Sequence, residues 1–206
     1  MGEHEEILDA LLSVALKLKE IPFPELVRAT TGYKIIPVNR DLKEDKELLE
    51  ILINAAKNLI DLSEKTKRRF RGDRINEVGR RIEQEFVQAL KATAVSVKLL
   101  SAPGYPNIEL RDSNGRVTYL ESKAVSKGWK SSLRAFYYTK GHKIKADARH
   151  LLIGWVVEEE SPKYWRITGF SLFDLYNLKV KLKAEFNANY RDLLSTIHLH
   201  EYSLKH

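Results

Sequence analysis

Cysteine is absent from this 206-residue chain, which excludes disulfides and thiolate metal sites. Long apolar runs are lacking too. The longest, Leu151 to Val157, is too short to cross a bilayer, so no membrane partner is expected. A secretory leader needs a basic start, whereas Glu3, Glu5 and Glu6 are acidic, and a cytoplasmic location is the expectation. No internal repeat, low-complexity tract or convincing linker interrupts the sequence. An apolar content of 43% and a charged content of 31% fit one soluble core of ordinary size.

Basic charge is plentiful, with a net charge of +7 and a pI near 9.4. That balance alone is weak evidence for a polyanionic partner, but its clustering says more. Ser63 to Arg74 carries Lys65, Lys67, Arg68, Arg69, Arg71 and Arg74. A second basic stretch from Lys123 to Lys145 includes Lys127, Lys130, Arg134, Lys140, His142 and Lys143, interleaved with Trp129, Phe136, Tyr137 and Tyr138. Such segments are often solvated surface. Beside a site that handles phosphodiesters they become candidate phosphate contacts.

Hydrophobic periodicity divides the chain. Ile7, Leu8, Leu11, Leu12, Ala15 and Leu16 predict a first amphipathic helix, broken by Pro22 and Pro24. A second helix is expected over Lys43 to Ser63 and a third from Arg74 to Thr93, with Ile75, Val78, Ile82, Phe86, Ala89 and Leu90 on its apolar face. The period then becomes extended. Val95 to Leu100 reads as a strand, and His150 to Glu158 as a central strand buried on both faces. Lys163 to Phe170 reads as a further strand after the Ser161-Pro162 turn. From Ser171 onward the pattern suggests short helices and loops. The expected organisation is a single domain: residues 1–73 a helical N-terminal region, 74–170 a catalytic core and 171–206 a C-terminal tail.

Between the first two strands of that core lies a hairpin, Gly104 to Lys123. Asn114-Gly115 is a strong turn signal that allows two registers. A two-residue loop sets Asn107 opposite Ser122 and puts the polar residues of the two strands on opposite faces. A three-residue loop, with Gly115 in the left-handed conformation, pairs Asp112 with Arg116 and Asn107 with Glu121. Lys123 then shares their face, while Ile108, Leu110 and Leu120 share the other. One residue of slip inverts both faces, so the apolar pattern selects the three-residue loop. Carboxylates and a lysine gathered on one face of adjacent strands can hold a divalent cation and deliver water to a phosphodiester.

Pro-Asn-Ile-Glu followed by Glu-Ser-Lys resembles the PD-(D/E)XK nuclease signature, and Gly79-x-x-x-Glu83 resembles the pattern on the helix that precedes it in many members. The order helix, strand, hairpin, buried strand agrees, best from about Arg74 to Val157. Ser131 to Trp155 resembles the segment that follows this motif in several type II restriction endonucleases. The resemblance implies an α/β restriction-endonuclease-like core, a mixed central sheet flanked by helices, with a helical N-terminal extension. It also implies a Mg²⁺-dependent, sequence-specific endonuclease that acts as a homodimer on double-stranded DNA, with Mn²⁺ able to substitute. The catalytic set would be Glu83, Asn107, Glu109, Glu121 and Lys123, with Asn107, Glu109, Glu121 and the Ser122 carbonyl as metal ligands. Arg68, Arg69, Arg71, Arg74, Lys127, Lys130, Arg134, His142, Lys143 and Lys145 would contact DNA.

The family has Asp where this chain has Asn107. Three readings stand: Glu109 or Glu83 supplies the missing carboxylate, Asn107 binds metal more weakly, or the site is disabled. A structure-selective nuclease of the junction-resolving kind and a nuclease-like DNA-binding module are the alternative functions. His150, Trp129, Trp155 and Trp165 are read as packing residues.

Overall fold

A computed structural model of the chain describes residues 20–126, 138 and 141–182, together with 6, 7, 9–11, 13 and 14. The chain divides into two compact units, one formed by 1–21 with 180–206 and the other by Pro22–Lys179. Of the first unit, the described residues between 6 and 14 are helical, as the spacing predicts, and Ile7, Leu11 and Val14 are exposed. The expected C-terminal helices around Tyr190, Leu193 and Leu194 lie outside the described residues.

The second unit carries a six-stranded mixed sheet in the order β2-β7-β6-β5-β4-β3. Its strands are β2 (Phe70–Arg71), β3 (Ser96–Leu99), β4 (Ile108–Arg111), β5 (Val117–Val125), β6 (Arg149–Ser161) and β7 (Tyr164–Asp174), and the short β1 (Ile21–Pro22) and β8 (Lys179–Val180) pair separately. Only β5 and β6 run parallel; every other pair in the sheet is antiparallel. Helices α2 (Lys43–Lys65) and α3 (Ile75–Lys91) flank the sheet. This is the mixed α/β arrangement expected of a restriction-endonuclease-like core.

The hairpin takes the three-residue register. Ile108 pairs with Leu120 and Arg111 with Val117, and the Asp112 N–H donates to the Arg116 carbonyl across the loop. Gly115 has φ of +75°, the left-handed conformation that glycine adopts without a Cβ clash. In β6, residues 149–155 are all buried, because the strand lies between neighbours in the sheet and is covered on both faces. Leu120, Leu151, Ile153, Trp155 and Val157 join Leu52, Ala56, Ile82 and Phe86 in the main core. The alternate residues Tyr119 and His150 sit on the other side with Phe23 and Tyr105. Asp45, wholly buried in the first turn of α2, bonds to Arg149 at 2.6 Å and to the Asn39 N–H at 2.8 Å, tying that helix to the start of β6.

Three local expectations are corrected. Pro22 and Pro24 do not merely break a helix: they open α1 (Phe23–Thr31), since proline at the first helical positions forfeits only an N–H that has no partner there. The basic run contains a strand, with Phe70 buried and paired to Trp165. Residues 171–174 continue β7 rather than turning helical, because Leu172 and Phe173 still find ladder partners in Ile153 and Leu152.

Candidate active site

Residue Glu83 reaches the hairpin because α3 lies close to β5. A Cβ built on Gly79 would stand 3.3 Å from Ala124 Cβ, so a larger residue there would lift the helix. One turn later, Glu83 accepts a 2.5 Å hydrogen bond from Asn107 Nδ2. Asn107 precedes β4 directly, its carbonyl accepts from the Leu100 N–H at 2.8 Å, and its backbone lies near enough to Glu121 to favour the charged carboxylate. On β5, the buried Glu121 puts Oε1 2.8 Å from Lys123 Nζ. Its other oxygen, Oε2, is buried and has no hydrogen-bond partner among the described residues.

A buried carboxylate oxygen without a partner is costly, and the electrostatics show it. Burial pushes the carboxyls of Glu121 and Glu83 above their ordinary range, against the pull of Lys123 on the first and of the Asn107 amide on the second. The Glu121 charge adds to the upward shift of Glu83. Such a pair fits a hard divalent cation, which takes carboxylate, amide and carbonyl oxygens. Among the described residues no three His, Cys, Asp or Glu side chains converge on one point. The oxygens that could hold such an ion are therefore those of the two carboxylates and the Asn107 amide, with the Ser122 carbonyl nearby on β5.

All of these but Glu121 line a groove of about 950 Å³. Glu83, Asn107, Ser122 and Lys123 are on its wall, and so is Lys143. Glu109 is not drawn in. It sits on the same strand face one pair along, opposite Tyr119, with Oε1 bonded to Arg111 at 2.9 Å. Ser122 Oγ turns inward to accept from the Trp155 indole N–H at 3.1 Å.

The proposed DNA contacts separate. Arg68 pairs with Glu85, and Arg69 with Glu160 and Glu64. Arg71, Arg74, His142 and Lys145 have exposed side chains, whereas Lys127, Lys130 and Arg134 lie outside the described residues. Lys143 is turned into the protein. The packing readings of His150, Trp155 and Trp165 hold: His150 and Trp155 have no exposed surface, and the Trp165 indole donates to the Gly72 carbonyl at 3.0 Å. Trp129 is outside the described residues.

Three groove residues escaped the sequence reading: Asn76, Arg80 and Gln84 on α3. All are exposed, and Arg80 has no ion-pair partner among the described residues. Their i, i+4, i+8 spacing, in step with Gly79 and Glu83 one place away, was the signal that could have found them.

Comparison with known proteins gives the chain a family. Residues 16–196 match the Type II restriction enzyme MjaV family. The Type II restriction enzyme MjaV of Methanocaldococcus jannaschii is 35% identical over 212 residues, covering 92% of this chain and 92% of the relative. No solved structure matches the chain. A family match over most of the length and a relative matched almost end to end lead to one conclusion: the chain belongs to the Type II restriction enzyme MjaV family.

Proposed function

We propose that this chain is a type II restriction endonuclease that hydrolyses phosphodiester bonds of double-stranded DNA at a specific sequence, with Mg²⁺ as cofactor and Mn²⁺ able to replace it. The observation that carries the reading is the unpartnered, buried Glu121 Oε2, next to Lys123, Asn107 and Glu83, which line the groove. The resemblance to the PD-(D/E)XK nucleases supplies the assignment of roles.

Glu121, the Asn107 amide oxygen and the Ser122 carbonyl would hold the ion, which when bound supplies charge neutralisation and a more acidic water. Lys123 has one of its three donors directed at Glu121. The others are available to orient the attacking water and to stabilise charge growing on the phosphate. Glu83 holds Asn107 in place, and the Asn107–Glu83 contact favours Glu83 over Glu109 as the acid that compensates for the missing aspartate. Arg80 and the exposed basic residues would position the duplex through its phosphates. A homodimer would match its two-fold axis to a palindromic site.

The test is digestion of a long defined duplex with Mg²⁺ by the wild-type protein, Asn107→Asp and Glu121→Gln, with fragment ends sequenced. Discrete fragments sharing one short palindrome, absent with Glu121→Gln, are the expected result. An intact duplex with both wild type and Asn107→Asp would overturn the reading; cutting confined to branched DNA would replace it with a structure-selective nuclease.

A further inference from the structure

The segment from Leu100 to Asn107 joins β3 to β4 and borders the groove. Its ends meet through the Leu100 N–H on the Asn107 carbonyl. Between them the backbone folds around the ammonium of Lys143, which comes from the segment before β6. Lys143 Nζ donates to the carbonyls of Pro106 at 2.7 Å, Leu100 at 3.3 Å and Gly104. Three acceptors are the full complement of an ammonium, so this lysine has no donor left for a phosphate or a water. Lys123, with one contact to Glu121, is its opposite. The loop has a second anchor on the sheet: the buried Tyr105 hydroxyl lies 2.8 Å from His150 Nδ1.

We propose that Lys143 is a positioning residue of the candidate active site: its ammonium, seated on the carbonyls of Leu100, Gly104 and Pro106, sets the loop so that Asn107 meets Glu83 beside Glu121. The proposal rests on the endonuclease reading for its effect on cleavage. It assigns Lys143 a role different from a DNA phosphate contact, and the two roles differ in what they change. A lost phosphate contact weakens binding and flattens its salt dependence. A displaced loop moves a ligand of the reacting centre, and a misplacement of about 1 Å there costs on the order of 10²-fold in rate.

The geometry also fixes which replacements work. Three carbonyls converging on one point suit a compact ammonium, whereas the planar guanidinium of arginine presents its donors in a diverging fork. Lys143→Arg is therefore a poor substitute. Lys143→Ala leaves the three carbonyls facing a vacancy that a small alkylammonium ion can enter.

The experiment compares full-length wild type, Lys143→Ala and Lys143→Arg by single-turnover cleavage and, separately, by DNA affinity in Ca²⁺. Methylammonium and tetramethylammonium chloride are added at matched ionic strength. The cleavage rate constant of Lys143→Ala is expected to fall by about 10²-fold with affinity nearly unchanged. Methylammonium, which can donate three hydrogen bonds, should restore at least about tenfold, and tetramethylammonium, which donates none, should restore nothing. Reduced affinity with an intact rate constant would overturn the proposal, as would a defect indifferent to methylammonium. Should Lys143→Ala fail to fold, Lys143→Met keeps the aliphatic bulk and the same rate-against-affinity comparison decides. If the wild type cuts no DNA, the endonuclease reading fails by itself. Amide hydrogen exchange across residues 101–107 then decides for Lys143: faster in the variant and slowed by methylammonium supports it, and no change from wild type overturns it.

Discussion

Asn107 presents its amide nitrogen to Glu83, so an aspartate at this position would face another carboxylate. Asn107→Asp is expected to lose the hydrogen bond and gain a repulsion, lowering stability without metal by about 1–3 kcal/mol. The same change should tighten Mg²⁺ binding at least about tenfold, because a charged oxygen replaces a neutral one. Thermal melts with and without Mg²⁺, together with titration calorimetry, read both effects. At Glu121 the sign is reversed. Its folded carboxyl titrates above the ordinary 4.5, so its contribution to stability is present below about pH 4.5 and is lost as pH rises through the folded value. Near pH 7 the buried charge is a net burden. Glu121→Gln should therefore melt higher than wild type at pH 7 and alike at pH 4, while cleaving at least about 10²-fold more slowly. A Glu121→Gln variant that melts lower at pH 7 would contradict the account of that carboxylate. Residues such as Lys143 were the least legible in the sequence. An ammonium bound by backbone carbonyls leaves no pattern among side chains, and in a list of residue types it looks like any other lysine in a basic stretch.

Elements were easier to read where two independent signals agreed. The hairpin register followed from Asn114-Gly115 together with the alternation of Ile108, Leu110 and Leu120, and a one-residue error would have exposed all three. Helix α3 was legible from its apolar period, and its N-terminal boundary came within one residue of Arg74. Where signals competed, the reading went astray: the prolines at 22 and 24 suit a helix start as well as a helix end, and the charges around Phe70 hid a two-residue strand. Gly79 explains what the Gly-x-x-x-Glu spacing does physically. Alanine there would gain about 0.8–1 kcal/mol of helix propensity but bring its Cβ to 3.3 Å from Ala124, which is tighter than ordinary contact. Gly79→Ala is expected to change stability by less than about 1 kcal/mol. Gly79→Val should push α3 outward, carry Glu83 away from Asn107, and reduce cleavage by about 10²-fold with a stability cost of about 1–3 kcal/mol. Denaturation curves beside single-turnover rates check the pair, and a Val variant with full activity would show that the helix spacing does not set the site.

For the whole molecule, the buried His150 gives stability a pH dependence. Burial pulls its pKa from 6.5 down to about 3, so between those values the unfolded chain takes a proton that the folded one does not. Stability from this group is complete above pH 6.5 and falls by about 1.4 kcal/mol per pH unit below it, until about pH 3. Measured by denaturant unfolding, the His150 contribution lowers stability by about 2 kcal/mol from pH 7 to pH 5, and that loss should be absent in His150→Asn, leaving the opposite trend of the raised carboxyls of Glu121 and Glu83. The sheet has a consequence of a different kind. The strand that bears Glu121 and Lys123 lies inside the sheet, antiparallel to β4 over Val117–Leu120 and parallel to β6 over Thr118–Val125, so the residues of the site are held by the β6 ladder. Their amides should therefore be among the last to exchange with solvent, opening only when the sheet itself comes apart. Heating should accordingly leave the chemical centre assembled until the melting transition, so that residual activity and remaining folded protein decline along the same curve.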